Sequence, residues 1–298
     1  MGRYSGIFFR GAAMGAADVV PGVSGGTIAF ITGIYDELID SLKAIDINAL
    51  RILFSRGLFE FWRHINGNFL ISLLIGVAFS VFTLAHAISY LLEHYAAQTS
   101  AFFFGLVAAS SWFIYRQMPA GRFRASWFIV GIAFAVAVGL VRPAEIPVTP
   151  LSVFLSGAVA ICAMILPGIS GSFILLLLGM YQPVLGAVKS LDVATILVFS
   201  SGCSVGLVVF VRLLSLLLHR YRASILSWLT GILLGSLSII WPWKESAGEG
   251  MGGFTMHNIL PTADPVMDVL LCVALAASSV VLVFVLENRA GVSAKATS

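Results

Sequence analysis

Long apolar stretches run along most of the chain and are separated by short polar connections. They lie at about 8–38, 69–92, 100–115, 125–141, 151–181, 194–218, 224–243 and 266–286. Most of them approach or exceed the ~20 residues that an α-helix needs to cross the hydrocarbon core of a bilayer. The stretches are continuous, whereas the strands of a membrane β-barrel alternate between apolar and polar residues. The pattern predicts an all-α polytopic membrane protein.

Two of these stretches contain residues that interrupt a helix. One includes DVVPGVSGGTIAFITGIY, at 18–35, and the other includes MILPGISGSFILLLLGMY, at 164–181. Proline lacks an amide hydrogen and resists helix continuation, and the adjoining glycines permit conformations that other residues avoid. We therefore expect each stretch to consist of two half-helices that meet at a break near the middle of the membrane.

The two broken stretches belong to an internal repeat. A shift of 146 residues aligns 21–46 with 167–192 and gives nine identities in 26 ungapped positions. A second block, at 76–105, matches 202–231 at a shift of 126 residues. The chain is therefore predicted to contain two copies of one unit, at about 1–142 and 150–288.

The first copy has an insertion at about 47–66, because the two shifts differ by 20 residues (146 minus 126). The segment combines apolar residues with Arg51, Arg56 and Arg63. This composition favours an amphipathic helix that lies on the membrane surface. A loop packed against the helix bundle is the alternative.

The positive charges favour re-entrant hairpins over full spans for the two broken stretches. If both stretches cross the membrane, Arg and Lys divide into 7 inside and 9 outside, leaving out Arg212, which lies within a span. If both enter and leave on one side, 13 lie inside and 3 outside, in agreement with the positive-inside rule. The inside residues are then Arg3, Arg10, Lys43, Arg51, Arg56, Arg63, Arg116, Arg122, Arg124, Arg220, Arg222, Arg289 and Lys295, and the outside residues are Arg142, Lys189 and Lys244. Both termini are predicted to be cytoplasmic.

Three predicted spans separate the two hairpins, so the second hairpin is expected to enter from the opposite face. Each copy then contains one hairpin, at 8–38 or 151–181, followed by three spans. The two copies form an inverted repeat. Secondary transporters use this architecture and bind their substrates near mid-membrane, where broken helices meet.

The tips of the two hairpins are predicted to form an anion site. The start of a half-helix carries unpaired amides and the positive end of the helix dipole, which favour a phosphate. The residues concerned are Pro21, Gly22, Ser24, Gly25, Gly26 and Thr27 in the first copy and Pro167, Gly168, Ser170, Gly171 and Ser172 in the second. The alternative is a glycine-rich helix crossing in which the serines serve packing alone.

The residues GAADVVPGVSGGTIAFITGIYDELI, at 15–39, and LPGISGSFILLLLGMY, at 166–181, resemble the polyprenyl-phosphate transporter family of bacteria and archaea. The resemblance covers roughly 5–288. It implies that the chain returns undecaprenyl phosphate, the lipid carrier of cell-envelope glycans, from the outer to the inner leaflet. It also implies that the twin motifs hold the phosphate head. The second copy departs from the first at Met164, aligned with Asp18, and at Ser172, aligned with Gly26.

Three polar residues inside the apolar segments are candidates for further roles. Asp18 is an acid within a hairpin arm, where a carboxylate is costly, and we interpret it as a proton-coupling or gating residue. A structural carboxylate that caps amides or pairs with an arginine is the alternative. Arg212 and His86 are aligned in the repeat, and either would balance a phosphate charge. Snorkelling to the membrane surface explains Arg212 equally well.

Two other functions are open at this point. Gly22, Val23, Ser24 and Gly25 match the short Gly-x-Ser-Gly signature of intramembrane serine proteases, for which His86 would be the base. The recurrence of the motif in the second copy argues against a single catalytic centre, so no enzyme activity is expected. A transporter or channel for a small anion would use the same electrostatics as a lipid-phosphate transporter.

The composition excludes a water-soluble domain, because 59% of the 298 residues are hydrophobic and 10% are charged. Cys162, Cys203 and Cys272 lie in apolar segments without metal-ligand spacing and are interpreted as packing residues. We expect no cofactor, no metal and no nucleic acid. The expected partners are a polyprenyl-phosphate lipid and the bilayer, and the expected location is the bacterial or archaeal cytoplasmic membrane. The sequence indicates neither an oligomeric state nor a role for 244–265.

Overall fold

The chain folds into fourteen described helices and one short β-hairpin. The computed structural model describes residues 3–20, 23–118, 121–141, 146–246, 256–261 and 266–295. The first half contains α1 (Arg3–Asp18), α2 (Gly25–Ile31), α3 (Tyr35–Lys43), α4 (Ile47–Arg56), α5 (Leu58–His64), α6 (Gly67–His94), α7 (Ala96–Arg116) and α8 (Ala125–Leu140). The second half contains α9 (Pro150–Ile165), α10 (Gly171–Leu177), α11 (Tyr181–Ser190), α12 (Val193–Arg220), α13 (Arg222–Ser236), β1 (Lys244–Ser246), β2 (Met256–Asn258) and α14 (Val266–Lys295).

Four of the described helices are long and apolar enough to cross a membrane. They are α7, α12, the segment Gly67–Leu84 of α6 and the segment Val266–Val285 of α14. The pair α10 and α11 meets the same criterion but is bent by 109° at the break between the two helices. Helices α8 and α9 are apolar and shorter, with 16 residues each. The chain is therefore an all-α polytopic membrane protein.

The order of helices in the first half recurs in the second half, apart from α4 and α5. Asp46 begins α4 by accepting a hydrogen bond of 2.8 Å from the Ala49 amide. Its aligned partner Asp192 begins α12 directly and accepts a bond of 3.2 Å from the Thr195 amide. The Ala49 amide lowers the pKa of the Asp46 carboxyl, and the Thr195 side chain lowers that of Asp192. The segment 47–66 thus lies between α3 and α6, where the second half has no counterpart.

Several element boundaries differ from those expected from the hydropathy pattern. The span expected at 224–243 corresponds to α13, which ends at Ser236 and is followed by a turn. The half-helix after each hairpin tip is itself interrupted. The interruptions are at Gly33 (φ 71°), between α2 and α3, and at Gly179 (φ 66°), between α10 and α11, where glycine tolerates the left-handed conformation. The insertion forms two short helices instead of one amphipathic helix, because Gly57 adopts a φ of 88° between α4 and α5.

Glycines allow the long helices to pack closely in pairs. Gly76 of α6 lies against the carbonyl of Phe8 in α1, and the aligned Gly202 of α12 lies against the carbonyl of Phe154 in α9. A side chain at either glycine would collide with backbone, as expected for small-residue contacts between membrane helices. The third long helix of each half packs on the other half, α8 on α13 and α14 on α7. The two halves are therefore interlocked.

The breaks of both hairpins are buried in the protein. All seven residues of α2 are buried, and most of α13, which lies against Gly168 of the second break, is buried as well. Large apolar side chains of α6, α12 and α14 are exposed, including Phe82 and Val209. In a membrane protein these outward faces contact lipid, so the breaks in the hairpins are covered by protein, as a non-helical backbone at membrane depth requires.

Candidate functional site

The tip of the first hairpin lies where α1 ends and α2 begins. The backbone of Ser24 is extended, and its Oγ accepts a hydrogen bond of 3.0 Å from the Gly26 amide, which makes Ser24 the N-cap of α2. Asp18, the last residue of α1, accepts a bond of 2.7 Å from the Gly25 amide through Oδ1. Ser24 and Thr27 are fully buried. Pro21 and Gly22 lie outside the described residues.

The tip of the second hairpin lies between α9 and α10. Pro167 and Gly168 are buried, and Gly168 has a φ of 88° that favours glycine. Ser170 is the buried N-cap of α10, but its side chain makes no capping hydrogen bond. Its Oγ instead lies 2.7 Å from the Oγ of Ser172. A Cβ on Gly171 would lie 2.8 Å from the Ala160 carbonyl, so glycine lets α10 start close to α9.

The structure brings the two tips into direct contact. The last carbonyls of α9 have no partner within the helix and accept hydrogen bonds from the first half. The Oγ of Ser24 donates to the Met164 carbonyl over 2.9 Å, and the hydroxyl of Tyr35 donates to the Ile165 carbonyl over 3.3 Å. The side chains that cap the broken helix of one half thus come from the other half.

The two tips are not chemically equivalent. At the first tip, the carboxylate of Asp18 and the hydroxyl of Ser24 already bind the first amides of α2. At the second tip, Met164 stands in the position aligned with Asp18, and no side chain caps α10. An anion approaching the first tip would meet the negative charge of Asp18, whereas the second tip carries no such charge among the described residues.

A cleft with a volume of about 770 Å³ leads from the outside of the bundle to the hairpins. It opens at the end of the bundle where α6, α8 and α13 finish and α7 begins, and it reaches Val20 of the first hairpin and Phe173 of the second. Its lining is mostly apolar. The polar lining residues are Ser100, Ser238, Lys244 and Asn258. Lys244 is the one charged residue among the described residues that line the cleft, and burial lowers the pKa of its ammonium.

The opposite end of the bundle is narrower and charged. A cavity of about 100 Å³ lies there between α3, the end of α12 and the start of α13. Arg222 forms an ion pair of 2.9 Å with Asp36, and the ammonium of Lys43 donates to the Oγ of Ser215 over 3.1 Å. Both contacts tie α3 of the first half to the second half. This end is held closed by polar contacts while the other end has a cleft.

Arg212 and His86 lie away from the hairpin tips. Both side chains are exposed on the long helices α12 and α6, and neither lines the two cavities described above. In the described part of the chain, no hydrogen bond or ion pair joins either side chain to the tips. Among the same residues, no group of three or more His, Cys, Asp or Glu side chains is arranged to hold a metal ion.

Several residues of the site were not among the sequence-based candidates. The internal repeat could have pointed to Tyr35 and Lys43, because the aligned residues in the second copy, Tyr181 and Lys189, are of the same type. Lys244 carried no such signal, since it stands in a polar, glycine-rich stretch after the last residue of α13. The contacts of Tyr35 and Lys43 join distant parts of the chain, which periodicity does not reveal.

Comparison with known proteins places this chain in a family. The model of the VCA0040-like family, described as undecaprenyl phosphate translocase-like, matches residues 14–252. The chain belongs to this family. A protein of Vibrio cholerae named polyprenyl-phosphate transporter is 51% identical over 245 residues, which are 82% of this chain and 80% of the relative. A Staphylococcus aureus protein of the same name is 30% identical over 255 residues, 78% of this chain and 84% of the relative. No solved structure shows a significant match.

Proposed function

We propose that this protein transports a polyprenyl phosphate, specifically undecaprenyl phosphate, across the cytoplasmic membrane and returns the carrier lipid for cell-envelope glycan synthesis. Membership of the family and the names of its relatives support this substrate class. The observation that carries the proposal is the apolar cleft that ends at two broken helices in contact with each other. The phosphate head would move through the protein, and the polyprenyl tail would stay in the bilayer.

Alternating access between two inverted halves is the proposed mechanism. Helix α6 ends beside the cleft, whereas its counterpart α12 ends at the opposite end of the bundle. Likewise α7 begins beside the cleft and its counterpart α13 ends there. These opposite directions support an inverted repeat whose hairpins enter from the two faces, with both termini in the cytoplasm. The cleft then faces outside, and the closed end carries the cytoplasmic ion pairs.

The phosphate head is proposed to bind at the hairpin tips. The first tip would contribute Pro21, Gly22, Ser24, Gly25, Gly26 and Thr27, and the second Pro167, Gly168, Ser170, Gly171 and Ser172. Because Asp18 and Ser24 bind the amides of Gly25 and Gly26 at the start of α2, the second tip offers the better place for an incoming anion in this conformation. Protonation of Asp18 would remove a negative charge from the first tip and weaken its bond to the Gly25 amide, which gives this residue a coupling or gating role.

Arg212 and His86 are proposed to act on the substrate from the lipid-facing side of the protein. Both side chains are exposed on helices that surround the hairpins. A cation on such a face would attract the phosphate of a lipid that diffuses along the protein, and His86 would do so in its protonated form. Substrate contact at the tips would require these helices to move.

The alternatives have less support. The hydroxyl of Ser24 donates to the Met164 carbonyl, and His86 lies on the exposed face of α6, so no serine–histidine pair is formed. A small hydrated anion would have to lose water in a cleft whose described lining carries one charged residue, Lys244. The amphipathic surface of a polyprenyl phosphate suits that lining better.

Transbilayer movement of undecaprenyl phosphate in proteoliposomes tests the proposal. We expect movement that depends on the protein and falls at least about tenfold in the double variant Ser24→Ala/Ser170→Ala, since each lost charge-assisted contact is worth about 1.5–3 kcal/mol. The variant must retain the elution profile of the wild type. No movement under a proton gradient of either sign would refute the lipid substrate, and full activity of the double variant would refute the phosphate site at the tips.

A further inference from the structure

The mouth of the cleft is built by the chain that follows α13. Strands β1 and β2 pair in antiparallel fashion with Lys244 opposite Asn258. The Asn258 side chain donates to the Ser238 carbonyl over 2.8 Å, and the indole of Trp241 donates to the Ile259 carbonyl over 2.8 Å. These bonds fasten the paired strands β1 and β2 to the end of α13 and fix the position of Lys244.

The ammonium of Lys244 is oriented by the protein and has further donors to offer. It donates one hydrogen bond to the Ile239 carbonyl, within the turn that follows α13. A lysine ammonium has three donors, so this bond leaves donors for a ligand. The surrounding lining is apolar and includes the aromatic rings of Trp241 and Trp243. A lone cation beside aromatic and aliphatic walls matches a ligand with one anionic group on an apolar chain.

We infer that Lys244 pairs with the phosphate of a polyprenyl phosphate at the mouth of the cleft, while the first isoprenoid units lie against Trp241 and Trp243. This inference rests on the proposed function and adds the residue that captures the head group before it reaches the hairpin tips. A cleft of about 770 Å³ holds a ligand of moderate size, so a long polyprenyl tail must leave it for the bilayer.

Binding of a short analogue to the purified protein tests this inference. Farnesyl phosphate and farnesol share one isoprenoid chain and differ in the phosphate, and tryptophan emission reports the occupancy of the cleft. We expect the wild type to bind farnesyl phosphate about tenfold more tightly than farnesol, as one charge-assisted contact predicts. Lys244→Gln should bring this ratio close to one, and Lys244→Arg should keep most of it. Lys189→Gln removes an exposed lysine that does not line the cleft and should leave the ratio unchanged.

A second measurement needs no substitution. An amine-reactive label followed by mass spectrometry compares Lys244 with Lys189 in the same wild-type molecules. Farnesyl phosphate should slow the labelling of Lys244 several-fold and leave Lys189 unaffected, and farnesol should protect Lys244 less. Equal protection by both ligands, or none, would overturn the role of Lys244 even if Lys244→Gln failed to fold.

The two proposals fail in different ways. If the wild type prefers farnesyl phosphate and Lys244→Gln keeps that preference, capture by Lys244 is wrong and the lipid-phosphate substrate stands. If the wild type binds both ligands equally and moves no undecaprenyl phosphate, the proposed function itself is wrong. A preference for inorganic phosphate over farnesyl phosphate would indicate a small-anion carrier and would contradict both.

Discussion

Thr27 and Gly168 join the two halves of the chain through one buried hydrogen bond. The Gly168 amide donates to the Oγ1 of Thr27 over 3.1 Å, and both residues are buried. The residue aligned with Thr27 in the second copy is Phe173, which has no hydroxyl and therefore cannot make the equivalent bond. The bond between Thr27 and Gly168 fixes the second break, between α9 and α10, against the first turn of α2. Any movement that separates the tips must break it.

Thr27→Val should destabilise the protein while preserving the shape of the side chain. The substitution leaves the Gly168 amide buried without an acceptor, which costs about 1–3 kcal/mol. A thermal unfolding experiment in detergent should show a lower Tm, and transport should fall with it because the tips are misplaced. Thr27→Ser keeps the hydroxyl and should stay near the wild type. Equal stability of Thr27→Val and Thr27→Ser would mean that this bond contributes nothing.

Gly26→Ala should push the two tips apart. A Cβ at this position would lie 2.6 Å from the Ile165 carbonyl, and a backbone atom cannot move aside as the end of a flexible side chain does. We expect a cost of about 1–3 kcal/mol, typical of overpacking, and a loss of most transport. Gly186→Ala is the matched control, since a Cβ there meets nothing within 4 Å. Wild-type transport by Gly26→Ala would argue against close contact of the tips in the working cycle.

The sequence predicted the two helix breaks because proline, glycine and serine recur at one spacing in both halves. It placed Ser24 at the first tip and Asp18 in the arm before it. Capping of backbone amides was only the alternative interpretation of Asp18, and the structure shows this contact, because the carboxylate binds the Gly25 amide. The sequence did not indicate Lys244, since the role of this residue depends on where the chain after α13 folds back. Local propensity determines breaks and helix starts, whereas contacts across the repeat depend on tertiary packing that no periodicity records.

Asp18→Asn should separate the structural role of this residue from its proposed coupling role. An asparagine oxygen can still accept the Gly25 amide, so the fold should be kept, whereas Asp18→Leu loses the acceptor and should lower stability by about 1–2 kcal/mol. Transport by Asp18→Asn should no longer respond to an imposed proton gradient, because the residue cannot take up a proton. If Asp18→Asn in proteoliposomes responds to the gradient as the wild type does, Asp18 only caps α2 and has no role in coupling.

The Arg222–Asp36 pair should affect transport more than stability. Both side chains are about half exposed, 51% and 53%, so the pair contributes at most about 1 kcal/mol to folding. It nevertheless joins α3 to α13 at the closed end, where the proposed alternating access requires the halves to separate. Asp36→Arg places two positive charges together and should change the transport rate several-fold with little change in Tm. The double variant Asp36→Arg/Arg222→Asp restores the attraction and should restore the rate.

Arg3→Glu is the matched control, because the Arg3–Glu37 pair of 2.6 Å lies within the first half and joins α1 to α3. Breaking it should leave transport close to the wild-type rate, since no contact between the halves is lost. If the double charge swap fails to restore a rate that Asp36→Arg has changed, the effect comes from Asp36 alone. The bond from Lys43 to Ser215 is a second polar contact between α3 and the second half, and Lys43→Gln would then be the next variant to measure.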